Sequence, residues 1–243
     1  MSVLKETGGF ILDLLYPRRC PVCHGPAPAG EKICPECRRK LPLVPGKRCA
    51  KCGKPVHEFE NLCDDCRKIE HVYTRGIGVY LYNDLMRESI VQMKYKGRRE
   101  YGETLGALAG EEARTFLEAW RPEAVIPIPL HRERLRKRTY NQAEAIASPV
   151  AEMLGVPIFP GGLVRLSGTG AMKELSAAER AKNLADALKA DEKLPVFRRV
   201  LLVDDIYTTG ATMDAAAKAL IKHGIPEIYF LAVCIGGGYM VNY

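Results

Sequence analysis

The period of apolar positions changes several times along the 243-residue chain, and each change marks an element. The most continuous run, Val200-Leu201-Leu202-Val203, stops abruptly at Asp204-Asp205. An unbroken apolar run of this kind predicts a strand buried on both faces of a parallel sheet. After the small-residue stretch Thr208-Thr209-Gly210-Ala211-Thr212, alanines and leucine recur at helical spacing from Met213 to His223. That region therefore reads as strand, turn and helix. Upstream, Gly76 to Tyr82 alternates as a strand, and Asn83-Asp84 can cap a helix from Leu85 to about Tyr95. The basic turn Lys94-Tyr95-Lys96-Gly97-Arg98-Arg99 closes it. A second helix over roughly 101–119 sets Leu105, Leu108, Ala109 and Phe116 on one face. Ala124 to Leu130 predicts a strand ended by its prolines, and Asn141-Gln142 opens an alanine-rich helix to about Leu154. Gly161 to Leu166 and Glu227 to Ile235 predict two more strands, and residues 2–16 a short amphipathic helix stopped before Pro17. Strands alternating with helices imply an α/β fold, a mostly parallel sheet flanked by helices. Its strands at 125–129 and 200–205 are expected side by side at the centre.

The N-terminal part has a different organisation. Eight of the nine cysteines form four Cys-x-x-Cys pairs, and each cysteine of the first two pairs recurs 29 residues later, an internal duplication. Each knuckle places two thiolates on one turn, ready to share a tetrahedral ion. Four thiolates per repeat imply two closed Cys₄ sites. Disulfides are disfavoured without a secretory signal, and iron–sulfur clusters share this ligation; zinc is the expected ion. A closed four-thiolate site has no open position for substrate, so the two Zn²⁺ are structural. The duplication favours Cys20/Cys23/Cys34/Cys37 and Cys49/Cys52/Cys63/Cys66, although an interleaved cross-brace would use the same spacings. His24 and His57, beside the knuckles, are expected at the surface. The polar segment 67–75 marks the domain boundary. Residues 1–70 then form an N-terminal helix and double zinc ribbon, and residues 71–243 the α/β domain.

A 47% apolar content provides for a real core. The net charge of +7 suits phosphate-bearing ligands or nucleic acid without singling either out. No apolar run approaches a membrane span. Residues 9–16 are too short for a signal sequence, contain Asp13 and lack a basic leader, so a cytoplasmic location is expected. The basic residues of the cysteine repeats are not interleaved with aromatics, which makes them a weak nucleic-acid signal.

The candidate chemistry lies at the end of the 200–205 strand. Backbone N–H groups at a helix start are unpaired and sit at the positive end of the helix dipole, which makes the turn an anion site. Thr208, Thr209 and Thr212 add hydroxyl donors, and Gly210 allows close approach to the backbone. Two carboxylates beside a phosphate cradle suit a sugar phosphate, with acceptors for its hydroxyls. His131 to Arg138 carries five arginines or lysines in eight residues. Such a cluster after a strand can neutralise a pyrophosphate.

Val203-Asp204-Asp205-Ile206-Tyr207-Thr208-Thr209-Gly210-Ala211-Thr212 resembles the phosphoribosyl pyrophosphate (PRPP) motif of type I phosphoribosyltransferases. The resemblance implies that Asp204 and Asp205 contact the ribose hydroxyls and that Thr208, Thr209, Gly210, Ala211 and Thr212 wrap the 5′-phosphate. A wider resemblance covers nearly the whole chain. Pro127-Ile128-Pro129-Leu130-His131, Arg134-Leu135-Arg136-Lys137-Arg138, Asn141-Gln142, Lys94-Tyr95-Lys96-Gly97 and the cysteine repeats are similar to the ComF/GntX family. Its members are bacterial competence-associated proteins with a zinc-ribbon head on a phosphoribosyltransferase domain. It implies PRPP bound with Mg²⁺, Arg134, Arg136 and Arg138 toward the pyrophosphate, and single-stranded DNA and DNA-uptake proteins as partners. Ser167 to Lys173 has the composition of a flexible loop, and Leu175 to Asn183 reads as a charged helix. The resemblance makes this the loop that closes over PRPP, with Lys173 and Arg180 reaching in. Thr139-Tyr140, Met172 and the tail Gly236-Gly237-Gly238-Tyr239 depart from the family pattern. No segment reads as a purine or pyrimidine pocket, so the resemblance leaves two readings: a PRPP-binding competence protein, or an active transferase with an unassigned acceptor.

Overall fold

Among the described residues, six strands, four long helices and one short one carry the α/β body, and two further short helices lie in the cysteine repeats. The computed structural model describes residues 18–165 and 188–236. The expected helix at 2–16, the loop holding Lys173, the helix holding Arg180 and the tail after Gly236 lie outside those residues. In chain order the elements are α1 Pro35–Arg39, α2 Asp64–Lys68, β1 Arg75–Leu81, α3 Asp84–Tyr95, α4 Arg99–Trp120, β2 Ala124–Pro127, α5 Arg132–Arg138, α6 Gln142–Leu154, β3 Leu163–Arg165, β4 Leu188–Ala190, β5 Arg199–Tyr207, α7 Ala211–Lys222 and β6 Glu227–Ile235.

The main sheet has the order β1-β6-β5-β2 and every pairing in it is parallel. β3 and β4 form a separate antiparallel pair. β5 is central, as its apolar run implies, and successive residues feed opposite faces. Leu201 and Val203 face the core shared with α3, α4 and α6, whereas Val200 and Leu202 face that shared with α7. β2 does pair with β5 but lies at the sheet's end rather than its centre. It is also shorter than expected. Pro127 and Pro129 cannot donate to a ladder, and only Ile128 carries the pairing on, donating to Val203 O at 2.9 Å.

Asn83 caps α3 as expected, its side chain accepting from Met86 N at 3.1 Å. In α4, Leu105, Leu108 and Ala109 are buried, but Phe116 is 43% exposed and packs sideways on Trp120. The face that α4 buries against α6 is instead a row of glycines. A Cβ built on Gly106 would fall 2.3 Å from Ile146 O, and one on Gly102 2.9 Å from Ala145 Cβ. Gly106→Ala is therefore expected to destabilise. Overpacking against backbone costs about 1–3 kcal/mol, more than the roughly 1 kcal/mol that alanine gains in helix propensity. At about 2–4 °C per kcal/mol for a chain of this size, a thermal melt should fall by several degrees. An unchanged melt would show that the helices can part freely.

The cysteine repeats wrap the β1 side of the sheet. Between them, Val44 N donates to Val79 O at 3.0 Å and Leu81 N to Pro42 O at 2.7 Å, which covers the edge of β1. The duplication persists in three dimensions: Arg19 bridges Pro26 as Arg48 bridges Pro55. At the left-handed position of the second knuckle stands Gly53, with φ +78°, and in the first His24 takes it, with φ +60°. His24 is not a plain surface residue. Its ring stacks on Tyr101 of α4 at 5.7 Å, and Nδ1 lies 3.2 Å from the Tyr101 hydroxyl.

Candidate functional site

The two cysteine clusters are the sequential ones. Cys20, Cys23, Cys34 and Cys37 form one group and Cys49, Cys52, Cys63 and Cys66 the other, with all sulfurs of a group within 4.8 Å of one another. Tetrahedral zinc with bonds of about 2.3 Å requires sulfurs about 3.8 Å apart. Cys23 and Cys34 stand at 3.7 Å, and Cys52 and Cys63 at 3.5 Å. Both sites fit zinc, and the interleaved cross-brace is not formed. They are unequal, however. Cys23 is exposed and Cys34 half-buried, whereas in the second site only Cys66 is less than fully buried.

The second site adjoins the end of β5. The Tyr207 hydroxyl neighbours Cys52, and Lys54, paired with Asp65 at 2.6 Å, lies over the Tyr207 ring at 5.8 Å. Burial pushes the Tyr207 and Tyr73 hydroxyls well above the usual phenol range, so both stay neutral donors.

Asp204 and Asp205 project from the carboxyl end of β5, and Gly210, with φ +85°, turns the chain into α7. Thr208 and Thr209 are exposed, and Ala211 and Thr212 half-buried. A cavity of about 30 Å³ is lined by Asp204, Tyr207 and the turn from Thr208 to Met213. The expected juxtaposition of acidic pair and helix start is thus present. Open α/β sheets take ligands at this edge.

Two cations flank the pair. Lys94, the last lysine of α3, reaches Asp205 Oδ2 at 2.6 Å, and both side chains are largely buried (18% and 13% exposed). Arg165, at the end of β3, is held below the usual guanidinium range by burial and by nearby Arg134, while Asp204 acts in the opposite direction. Sequence reasoning gave neither a place in the site; it took Lys94 as the end of a helix, with only its Lys-Tyr-Lys-Gly pattern as a signal. The Asp204 carboxyl is pushed up to about 7, first by burial and then by the charge of Asp205. Its bond from the Asp205 amide, together with Lys94 and Arg165, opposes that rise.

The basic segment forms the short helix α5, next to the site because β2 pairs with β5. Arg134 and Arg136 are exposed. Arg138 is partly engaged, donating to Gln142 Oε1 at 3.0 Å and to the Tyr95 hydroxyl at 3.2 Å, with its guanidinium over the Tyr95 ring. Cys234 is a buried thiol with its pKa raised, as expected of an inert one.

A glycine turn into a helix start beside paired carboxylates, on a parallel sheet edged by two Cys₄ ribbons, defines a zinc-ribbon protein built on the phosphoribosyltransferase fold. Residues 11–67 match the double zinc ribbon domain and residues 141–239 the phosphoribosyl transferase domain. The chain thus joins a double zinc ribbon to a phosphoribosyltransferase domain, and it is similar to proteins named for competence and DNA utilization. It is 36% identical over 124 residues to Competence protein F of Haemophilus influenzae, covering 50% of this chain and 54% of that protein. Competence protein ComFC of Bacillus subtilis is 29% identical over 203 residues, 80% of each chain. DNA utilization protein YhgH of Escherichia coli O6:H1 is 28% identical over 219 residues, 88% of this chain and 89% of that protein. The match thus spans about half the length of the Haemophilus relative and most of the other two. Among the described residues, no helix is long and apolar enough to cross a membrane.

Proposed function

We propose that this protein binds PRPP with Mg²⁺ at the end of β5 and serves the handling of incoming DNA in the cytoplasm. The observation that carries the reading is the joint placement of Asp204 and Asp205 with the Thr208–Thr212 turn, since a sugar phosphate needs both. In this reading the turn holds the 5′-phosphate, the two aspartates accept from the ribose hydroxyls, and Arg134 and Arg136 face the pyrophosphate. Lys94 keeps Asp205 in place until the hydroxyls arrive, and Lys173 and Arg180 close over the ligand. Bound Mg²⁺ supplies charge neutralisation for the pyrophosphate oxygens. Residues 1–70 form the ribbon module and residues 71–243 the PRPP-binding domain.

Titration with PRPP tests this directly. Asp204 protonated in the fold contributes stability that is complete below the ordinary carboxyl value of 3.8 and is lost as pH rises through about 7. Mg²⁺-PRPP favours the ionised pair, so its affinity should rise with pH by up to about tenfold per unit below pH 7 and then level off. Binding indifferent to both Mg²⁺ and pH would place PRPP away from these carboxylates.

A transferase reading rests on the same site. An acceptor nucleophile would attack the anomeric carbon, and the bond to pyrophosphate would break with its electron pair leaving on pyrophosphate. A cavity of about 320 Å³ beside the basic segment, lined by Arg99, Pro129, Leu130, Tyr140 and Asn141 among others, gives space for such an acceptor. PRPP turnover against a panel of nucleobases and amines decides it.

The relatives' names and the basic surface support single-stranded DNA, with DNA-uptake proteins, as partners. Phe59 is 93% exposed, and Tyr95 stands out beside Arg138. Isolated aromatics make a poor stacking track, so binding should be weak and fall steeply with salt. Binding that persisted in high salt would reveal a stacking surface.

A further inference from the structure

The segment joining the second ribbon to β1 has the composition of a polar linker, yet it is fastened beneath the anion-binding turn. The His71 side chain is completely buried, and its Nδ1 lies 2.6 Å from Asp214 Oδ2 in the first turn of α7. The backbone amide of Val72 donates to the other oxygen, Asp214 Oδ1, at 2.9 Å. Both oxygens of one carboxylate are therefore held from the linker. The His71 ring stacks on Tyr73 at 4.9 Å, and the Tyr73 hydroxyl lies 2.8 Å from that of Tyr207, the last residue of β5. Gly210 fits against this assembly only because it lacks a side chain. A Cβ there would fall 2.7 Å from His71 Cε1 and 2.7 Å from the Tyr207 hydroxyl. Linker residues thus touch the chain where it enters the turn, at Tyr207, and where it leaves, at Gly210 and Asp214.

We propose that His71 is a positioning residue for phosphate recognition, holding the Gly210 turn and the start of α7 through Asp214 so that the amides of the turn converge on one anion. The proposal rests on the phosphate reading of that turn. Facing a carboxylate oxygen, Nδ1 is the donor, and the bond fixes both tautomer and ring plane. The ring plane in turn sets how closely Gly210 approaches. Asp214 would by itself oppose an anion at the same helix start; directing both its oxygens to the linker turns it away from that task. Preorganised donors are worth more than mobile ones because no reordering is needed on binding.

The 5′-phosphate is common to PRPP and ribose 5-phosphate, so a defect in this support should weaken both ligands alike. His71→Ala is expected to reduce affinity for ribose 5-phosphate and for PRPP with Mg²⁺ by a similar factor, about tenfold, in calorimetry with the full zinc-loaded chain. His71→Asn keeps an N–H near the position of Nδ1 and should recover most of the loss. Should the alanine variant fail to fold, His71→Asn and Asp214→Asn carry the test through proton NMR. The wild type should show a downfield Nδ1–H resonance that shifts on addition of ribose 5-phosphate, and Asp214→Asn should lose it. Wild-type affinity in His71→Ala, a loss confined to PRPP, or a resonance indifferent to ribose 5-phosphate would overturn the proposal while leaving the site assignment standing. Failure of the wild type to bind either ligand would overturn both.

Discussion

Replacing Cys49 and Cys52 by serine should remove one of two zinc ions per chain and disable the PRPP site as well. The same change at Cys20 and Cys23 should remove one ion and largely spare the site. The asymmetry follows from what each ribbon touches. The second supports the sheet through Arg48 Nη1, which donates to Gly78 O at 2.7 Å, and through Gly76 N, which donates to Lys51 O at 2.8 Å. Lys51 lies over the Tyr73 ring at 5.3 Å, and Cys52 neighbours Tyr207, from which the anion turn departs. The first ribbon meets the body mainly at α4, through His24 on Tyr101 and through Arg38, which pairs with Glu111 at 2.8 Å. Structural zinc is worth on the order of 10–16 kcal/mol in isolated zinc-finger peptides, comparable with the whole stability of a domain. Loss of the second ion should therefore lower the melting temperature by well over ten degrees at about 2–4 °C per kcal/mol. Metal analysis, melting and PRPP titration on the two double variants check it. Equal losses from both, or loss of both ions from either, would contradict the account.

The other large effect is expected at the acidic pair. Asp204→Asn with Asp205→Asn keeps shape and removes both charges from the ribose side. Charge-assisted hydrogen bonds are worth roughly 1.5–3 kcal/mol each, so PRPP affinity should fall at least about tenfold. The partner cations Lys94 and Arg165 would then stand beside neutral amides, which can still accept. The fold and the zinc content should persist, because neither carboxylate anchors a ribbon.

How much of this was legible depended on whether the signal was local. The run from Val200 to Val203, the two aspartates and the turn behind them lie within one segment, so strand, turn and helix could be read directly. Cysteine spacing did the same for the ribbons, and the duplication pointed to the sequential pairing that the sulfurs adopt. The limits of β2 were harder to read, because apolar character continues through Leu130 while the prolines end the ladder at Pro127. Phe116 fits the helical stripe, but α4 packs on α6 through its glycines, whose lack of side chain leaves no hydrophobic signal. Lys94 and Arg165 flank the acidic pair from separate elements, α3 and β3; the Lys94-Tyr95-Lys96-Gly97 pattern is a faint signal for the first, and nothing local announces the second. His71 was the least visible. A polar, mixed-charge segment reads as a linker, and only the fold shows that it runs under the turn.

The central claim is that the turn and the acidic pair form one PRPP site bordered by the basic segment. Calorimetric titration of the zinc-loaded wild type with PRPP and with ribose 5-phosphate, each with Mg²⁺, tests it most directly. PRPP should bind the more tightly, because only its pyrophosphate engages Arg134 and Arg136, and the double asparagine variant should lose most of that affinity. No detectable PRPP binding to the wild type, or an unchanged affinity in the variant, would contradict the site as assigned.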